Sequence, residues 1–243
     1  MRTRISRGLA AALAVSALSL TAACNGSDDP AKDGADKPSA GATGTASAAP
    51  TSKAPATPLT AAQMKAAAME LKDLPAGWKV AKTDDDNTNY KADKAECQPL
   101  AAVMSADVEG STLGASADFV LGRQQSELSE EVVTFSGTGA ADYTKKLATA
   151  LDACTDFTVD VEGQKTKFSV RKLTAPQGAE EVLAFGLTME VAPGIKIEPN
   201  LVVGRQGAGV FRMVHLADTT STKKDFDSFA KLATEKFAKA AQG

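Results

Sequence analysis

The chain has 243 residues, 43% of them apolar, with 27 Lys and Arg set against 30 Asp and Glu, three cysteines and one histidine. A formal net charge of −3 provides no electrostatic footprint for nucleic acid. Three cysteines and one histidine are too sparse for a Cys/His zinc site once one cysteine is otherwise used, so neither a metal nor a cofactor is expected.

In chain order, Arg2, Arg4 and Arg7 make a basic start, and an apolar run follows from Leu9 to Leu20. That run is about half the ~20 residues a transmembrane helix needs. A charged start, a short apolar segment and the small residues Thr21, Ala22 and Ala23 together describe a secretory signal peptide, residues 1–23. The stretch Leu20-Thr21-Ala22-Ala23-Cys24 resembles a bacterial lipobox, with Thr21 at the place where Leu is commonest. The resemblance implies a diacylglycerol group on the Cys24 thiol and cleavage just before it. Two acyl chains hold a protein stably, where one does so marginally. The expected location is therefore the extracytoplasmic face of the cell membrane, through an acyl anchor. The alternative is an ordinary cleaved signal that leaves Cys24 as a free thiol.

Residues 24–58 read as a lipid-anchored linker. From Asn25 to Pro58 there is no aromatic residue and no Leu, Ile or Val, so the segment cannot bury enough apolar surface to offset its ordering entropy. As a flexible coil it would reach about 30 Å. Composition becomes globular from Leu59, and residues 59–243 suit one domain.

In that domain Thr60 and Gln63 set up a capping box for a helix running to about Asp73, ended by Pro75. A strand follows around Trp78 to Lys82, then a polar loop from Thr83 to Asp93. A short helix is expected from Glu96 to Ser105, strands near Leu113–Leu121 and Leu128–Ser136, and an amphipathic helix from Ala140 to Ala153. The period then switches to two. Phe168 and Val170 alternate with charged residues, and Leu183, Phe185, Leu187, Met189 and Val191 line one face of a long strand. Ile195–Val203 and Gly209–Ala217 form two more strands joined by the turn Gly204–Gly209. The last helix, Lys223 to Ala240, places Phe226, Phe229, Ala233 and Phe237 on one side. Strands joined by short turns, with helices before, between and after them, predict an α+β fold: an antiparallel sheet flanked by helices, covered on one face and free to form an open cleft on the other.

Cys97 and Cys154 both fall on predicted core faces of helices. Outside the cytoplasm two remaining cysteines in one domain commonly pair, so a Cys97–Cys154 disulfide is expected. Two separately buried thiols are the alternative.

No constellation here names an enzyme. His215 lies on a strand face with Phe211 and Met213, and no Gly-x-Ser-x-Gly elbow accompanies it. Asp85, Asn87, Asn89, Asp93 and Glu96 match part of a calcium-loop template, but Tyr90 replaces its turn glycine and Lys91 adds a positive charge. Gly204–Gly209 lies between strands and reads as a hairpin turn rather than a phosphate cradle. Glu127, Glu130 and Glu131 cluster near one strand, and a rim facing water accounts for them better than paired catalytic carboxylates.

The turn Asp73-Leu74-Pro75-Ala76-Gly77-Trp78 after an opening helix, then Cys97, a helix-borne Cys154, a run of strands and a closing helix resemble the extracellular sensor domain of the actinobacterial PknH kinases, a domain shared with free-standing lipoproteins. The resemblance spans Leu59 to Gly243 and implies an α+β sandwich with a large cleft. It also implies two disulfides, of which this chain has cysteines for one. Small lipoproteins of the PsbP-like fold, which act as binding or adaptor proteins, are similar in outline. The functional expectation is a non-enzymatic surface lipoprotein of an actinobacterium whose domain binds an envelope ligand or protein partner, with no residue assigned to that ligand. The alternatives are a carrier of a lipid or other apolar molecule in an internal pocket and, behind it, an envelope hydrolase.

Overall fold

The computed structural model describes residues 56–82, 88–122, 126–161, 164–192, 194–217 and 223–243. The signal peptide, Cys24, nearly all of the linker, Asp85 and Asn87 lie outside the described residues. All described residues fall in one compact unit.

Among them, nine strands form one antiparallel sheet. Helix α1 (Ala61–Ala67) leads to a 3-10 turn at Leu71–Asp73 and to strand β1 (Trp78–Val80). A second 3-10 turn (Ala95–Cys97) runs into α2 (Gln98–Ala102), followed by β2 (Ser111–Leu121), β3 (Ser126–Phe135) and α3 (Gly139–Ala153). Then come β4 (Asp156–Val161), β5 (Gln164–Lys172), β6 (Glu181–Ala192), β7 (Ile195–Ile197), β8 (Asn200–Gln206), β9 (Gly209–Ala217) and α4 (Lys223–Ala241).

The spatial order is β1-β2-β3-β9-β8-β6-β5-β4, with β7 beside β6. Two antiparallel runs therefore meet inside the sheet. The first, β1 to β3, ends at the centre; α3 carries the chain to the far edge, and β4 to β9 return until β9 pairs with β3. The α+β architecture is the one the alternation predicted. The β8–β9 hairpin closes through Gly207 at φ 57°, a backbone conformation that glycine adopts without strain.

The structure departs from the sequence reading at four places. The first helix stops at Ala67 rather than Asp73, because side chains capture the next backbone donors: the Met69 N–H donates to Glu130 and the Glu70 N–H to Asp73. The second is tighter than expected, a 3-10 turn and one short α segment ending at Ala102. Strand β4, not anticipated, forms the far edge of the sheet. The strand expected over 195–203 is two, divided at Glu198-Pro199, where proline cannot donate to a ladder.

Each face of the sheet builds a core. On one, α2 and α3 pack Leu100, Leu147 and Leu151 against Val133, Phe157, Phe185, Leu187 and Leu201. On the other, α1 and α4 pack Met64, Phe226, Phe229 and Phe237 against Leu128, Val132, Phe211 and Met213. Gly114 makes room for α1: a Cβ there would run into the Met64 side chain.

Candidate functional site

The alternation of β2, β3 and β9 sends Ala117, Phe119, Leu128, Val132, Phe211 and Met213 toward α1 and α4. Their neighbours face the other way. That side of the sheet is buried under α2 and α3 at Val133, Phe135 and Val210, but the cover does not extend along the strands. Leu113, Ser116, Glu127 and Ser129 are exposed, and Asp118, Val120, Glu131, Val214 and Leu216 are half-buried. This open face is an apolar strip edged by carboxylates that α2 and α3 leave uncovered.

Its border is built by Arg212. The guanidinium Nε donates to Glu131 Oε2 at 2.5 Å, Nη1 to the Val103 carbonyl at 3.0 Å and Nη2 to the Ala106 carbonyl at 3.0 Å. A rigid planar fork suits this task, because it satisfies carbonyls at the end of α2 and a carboxylate together. Tyr143 of α3 lies nearby with its hydroxyl buried and without a partner among the described residues. Burial, with Glu131 adding to it against the pull of Arg212, pushes that phenol up to about 12.

His215 is not part of any such surface. It is sealed in the opposite core, 0% exposed, with ring centroids 6.3 Å from Trp78, 6.5 Å from Phe226 and 5.3 Å from Phe229. Neither ring nitrogen has a partner among the described residues, and burial holds its pKa below the usual histidine value, against the opposing pull of Asp225. Trp78 itself is buried, edge-on to Phe229. A histidine without a hydroxyl or carboxylate in hydrogen-bond reach cannot act as the base of a nucleophile.

The acidic cluster near β3 divides into three environments. Glu127 faces solvent, Glu131 pairs with Arg212, and Glu130 is 1% exposed. The expectation of a common solvent-facing rim fails for Glu130 because residue 130 shares the face of Leu128 and Val132. Alternation, which turns every second residue inward, was the signal that could have found it. Its Oε2 accepts from the Met69 N–H at 2.5 Å, while Oε1 is buried without a partner among the described residues. Burial pushes this carboxyl up to about 7, outweighing the Met69 hydrogen bond and the more distant Lys236.

Cys97 and Cys154 are joined by a disulfide, Cα atoms 5.9 Å apart, binding the start of α2 to the end of α3. Of the partial calcium loop, Asp93 is engaged elsewhere: its carboxylate accepts from the Thr158 N–H at 2.8 Å, capping the outer edge of β4. No group of three or more His, Cys, Asp or Glu among the described residues could hold a metal ion. A shallow groove of about 600 Å³ lies between the two disulfide-linked helices, with Glu96 and Pro99 on one wall and Lys145, Lys146 and Thr149 on the other. In the apolar row of β6, Phe185 and Leu187 are fully buried under α2 and α3, and Leu183 and Met189 are half-buried. Among the described residues no helix is long and apolar enough to cross a membrane.

No protein-family model matches this chain, and no curated protein matches it in sequence. The fold is similar to the crystal structure of the extracellular domain of PknH from Mycobacterium tuberculosis, with a TM-score of 0.54 over 76% of this chain and 98% of that one. The chain has the fold of that PknH domain. At 14% identity the likeness concerns the fold and carries no side-chain site across. An uncharacterised protein from Mycobacterium smegmatis is also similar, with a TM-score of 0.44 and 12% identity over 76% of this chain and 97% of that one.

Proposed function

We propose that this chain is a sensor-like surface lipoprotein, anchored by acyl chains on Cys24 and held off the membrane by residues 24–58. Its domain, residues 59–243, binds an envelope ligand or protein partner without turning it over. The observation that carries the reading is the fold, which spans 98% of an extracellular domain of a kinase. The lipobox-like stretch Leu20–Cys24, at the end of a signal-like segment, supports the same side of the membrane and supplies the anchor. The open face beside Arg212 is where a partner would sit. It offers apolar contact at Val120, Val214 and Leu216 with carboxylates at its margin, the mixture of a non-polar floor and a few fixed polar groups that favours recognition.

The carrier reading has less behind it, because Phe185 and Leu187, the middle of the row that motivated it, are packed into a core. The hydrolase reading lacks a histidine that a substrate can reach.

Metabolic labelling with an alkynyl fatty acid tests the anchor. Wild-type chain should take up label and partition with membranes, and Cys24→Ser should do neither. An unlabelled wild-type chain released in soluble form would refute the lipoprotein reading. Binding at the open face is tested by Val120→Arg, at a position outside both cores, which should abolish crosslinks to envelope components and leave the melting temperature nearly unchanged.

A further inference from the structure

Glu130 stands where three elements meet. Its strand, β3, lies under the end of α1 and the Leu71–Asp73 turn, and α4 packs against α1 above it. One carboxyl oxygen holds the chain just past α1 through the Met69 N–H; the other is buried with no partner among the described residues. The nearest cation is committed elsewhere. Lys236 of α4 donates to Asp73 Oδ2 at 2.6 Å and reaches Glu70 at 3.5 Å. Asp73 also accepts from the Glu70 N–H at 2.8 Å, and these donors keep it ionised below the usual carboxylate range despite its own burial.

Among the described residues, the charged groups that act on Glu130 are Asp73, from the turn, and Lys236, from α4. On β2 the residue opposite is Ala117, and on β9 it is Met213, with His215 one pair further along the same face. His215 is held toward its neutral form and supplies no countercharge.

We propose that Glu130 is a proton-operated latch that seats the segment from Met69 to Leu74 on the sheet when its carboxyl is protonated and releases that segment when it ionises. The protonated carboxyl still accepts the Met69 N–H and carries no charge into the core. The ionised one places a charge on an oxygen with no donor, beside the Asp73 carboxylate, in a site sealed from water. Its relief is to lift the turn and admit water, or to draw Lys236 from Asp73; either loosens the contact between α1 and α4. Trp78 follows that turn directly, so the change reaches β1. The latch is independent of whether the open face binds a ligand: it lies on the opposite side of the sheet and answers to protons alone.

The test is amide hydrogen exchange of the mature chain in detergent, with rates corrected for the intrinsic pH dependence of exchange. Protection of the Met69–Leu74 segment should fall roughly thirtyfold between about pH 5.5 and about pH 8.5, the gain in opening that follows if exposure returns the carboxyl from about 7 to its ordinary 4.5. In Glu130→Gln, which keeps an acceptor for the Met69 N–H but cannot ionise, the fall should vanish. Protection unchanged within about twofold in wild type, or an undiminished fall in Glu130→Gln, overturns the proposal. So does a loss of protection on acidification, which would be the signature of His215. Should Glu130→Gln fail to fold, Lys236→Met decides: removing the cation should move the midpoint of release to higher pH, and an unmoved midpoint overturns the latch.

Discussion

On the side of α2 and α3, polar and covalent groups complete one another. The Cys97–Cys154 bridge fixes the two helices together, and Arg212 satisfies Glu131 and the carbonyls ending α2. On the side of α1 and α4 no disulfide joins the described residues, and Glu130 and His215 bury three polar atoms without partners. Both sides hold aromatic cores of similar make, with Phe157 stacked on Phe168 in one and Phe211 against Phe237 in the other. Apolar packing therefore does not distinguish them. They differ in the groups that titrate near neutral pH: the first core leaves only the neutral Tyr143 hydroxyl unpartnered among the described residues, and the second leaves Glu130 and His215 so. A single sheet thus carries a stapled face and a face whose stability follows pH.

The sharpest way to break that comparison is to remove the staple. Replacing Cys97 and Cys154 together by alanine should cost about 4 kcal/mol in the chain-entropy account for a sequence separation of 57, read as a lower urea midpoint with a larger m-value, since the uncrosslinked unfolded chain exposes more surface. A cost near zero would leave the two faces alike. Arg212→Met comes next, at about 3 kcal/mol, because it strands the Glu131 carboxylate and frees the end of α2. Denaturant unfolding at neutral pH measures it.

The smaller effects sharpen the comparison through their signs. Glu130 has a folded pKa above its unfolded value, so its neutral form favours the fold at low pH, and that contribution is lost as pH rises from 4.5 through about 7. Glu130→Gln should therefore gain roughly 3 kcal/mol over wild type above that window and almost nothing at its acid end. His215 is shifted the other way: the fold favours its neutral form, and stability is lost as pH falls below about 6.5. His215→Phe should melt higher than wild type by a margin that widens on acidification. Melting temperatures across pH check both, and parallel curves for either variant would refute its assignment.

Much of the architecture was legible in local patterns. Thr60 and Gln63 make the capping box their spacing announces, and the aromatic stripe of the last helix is buried at Phe226, Phe229 and Phe237. What local patterns did not show are competitions between distant groups. Nothing near Ala67 says that Met69 will donate to a carboxylate 61 residues away and so end the helix early. Strand β4 was missed, although Phe157, Val159 and Val161 alternate with polar residues, because it is short and follows Cys154 with little pause. An open face was expected from the sequence, but which strands stay bare was not legible, since that depends on how far α2 and α3 extend over them. Glu130 was misread by composition: three glutamates in five residues look like a solvated rim until the strand's alternation is applied.

The seam between β3 and β9 has a consequence for how the molecule assembles. Ser126–Phe135 pairs with Gly209–Ala217 across some eighty residues of intervening chain, and such distant pairings form slowly. As the chain emerges N-terminus first, β1 to β3 can join early, but the inner edge of β3 then waits for the last strand. Until β9 arrives, Leu128, Val132 and Val133 border an unpaired backbone, a surface that invites pairing with the wrong neighbour. The most vulnerable moment in this protein's life is therefore the interval before its ninth strand is delivered, and substitutions in β9 should lower yield more than they lower the stability of molecules that succeed in folding.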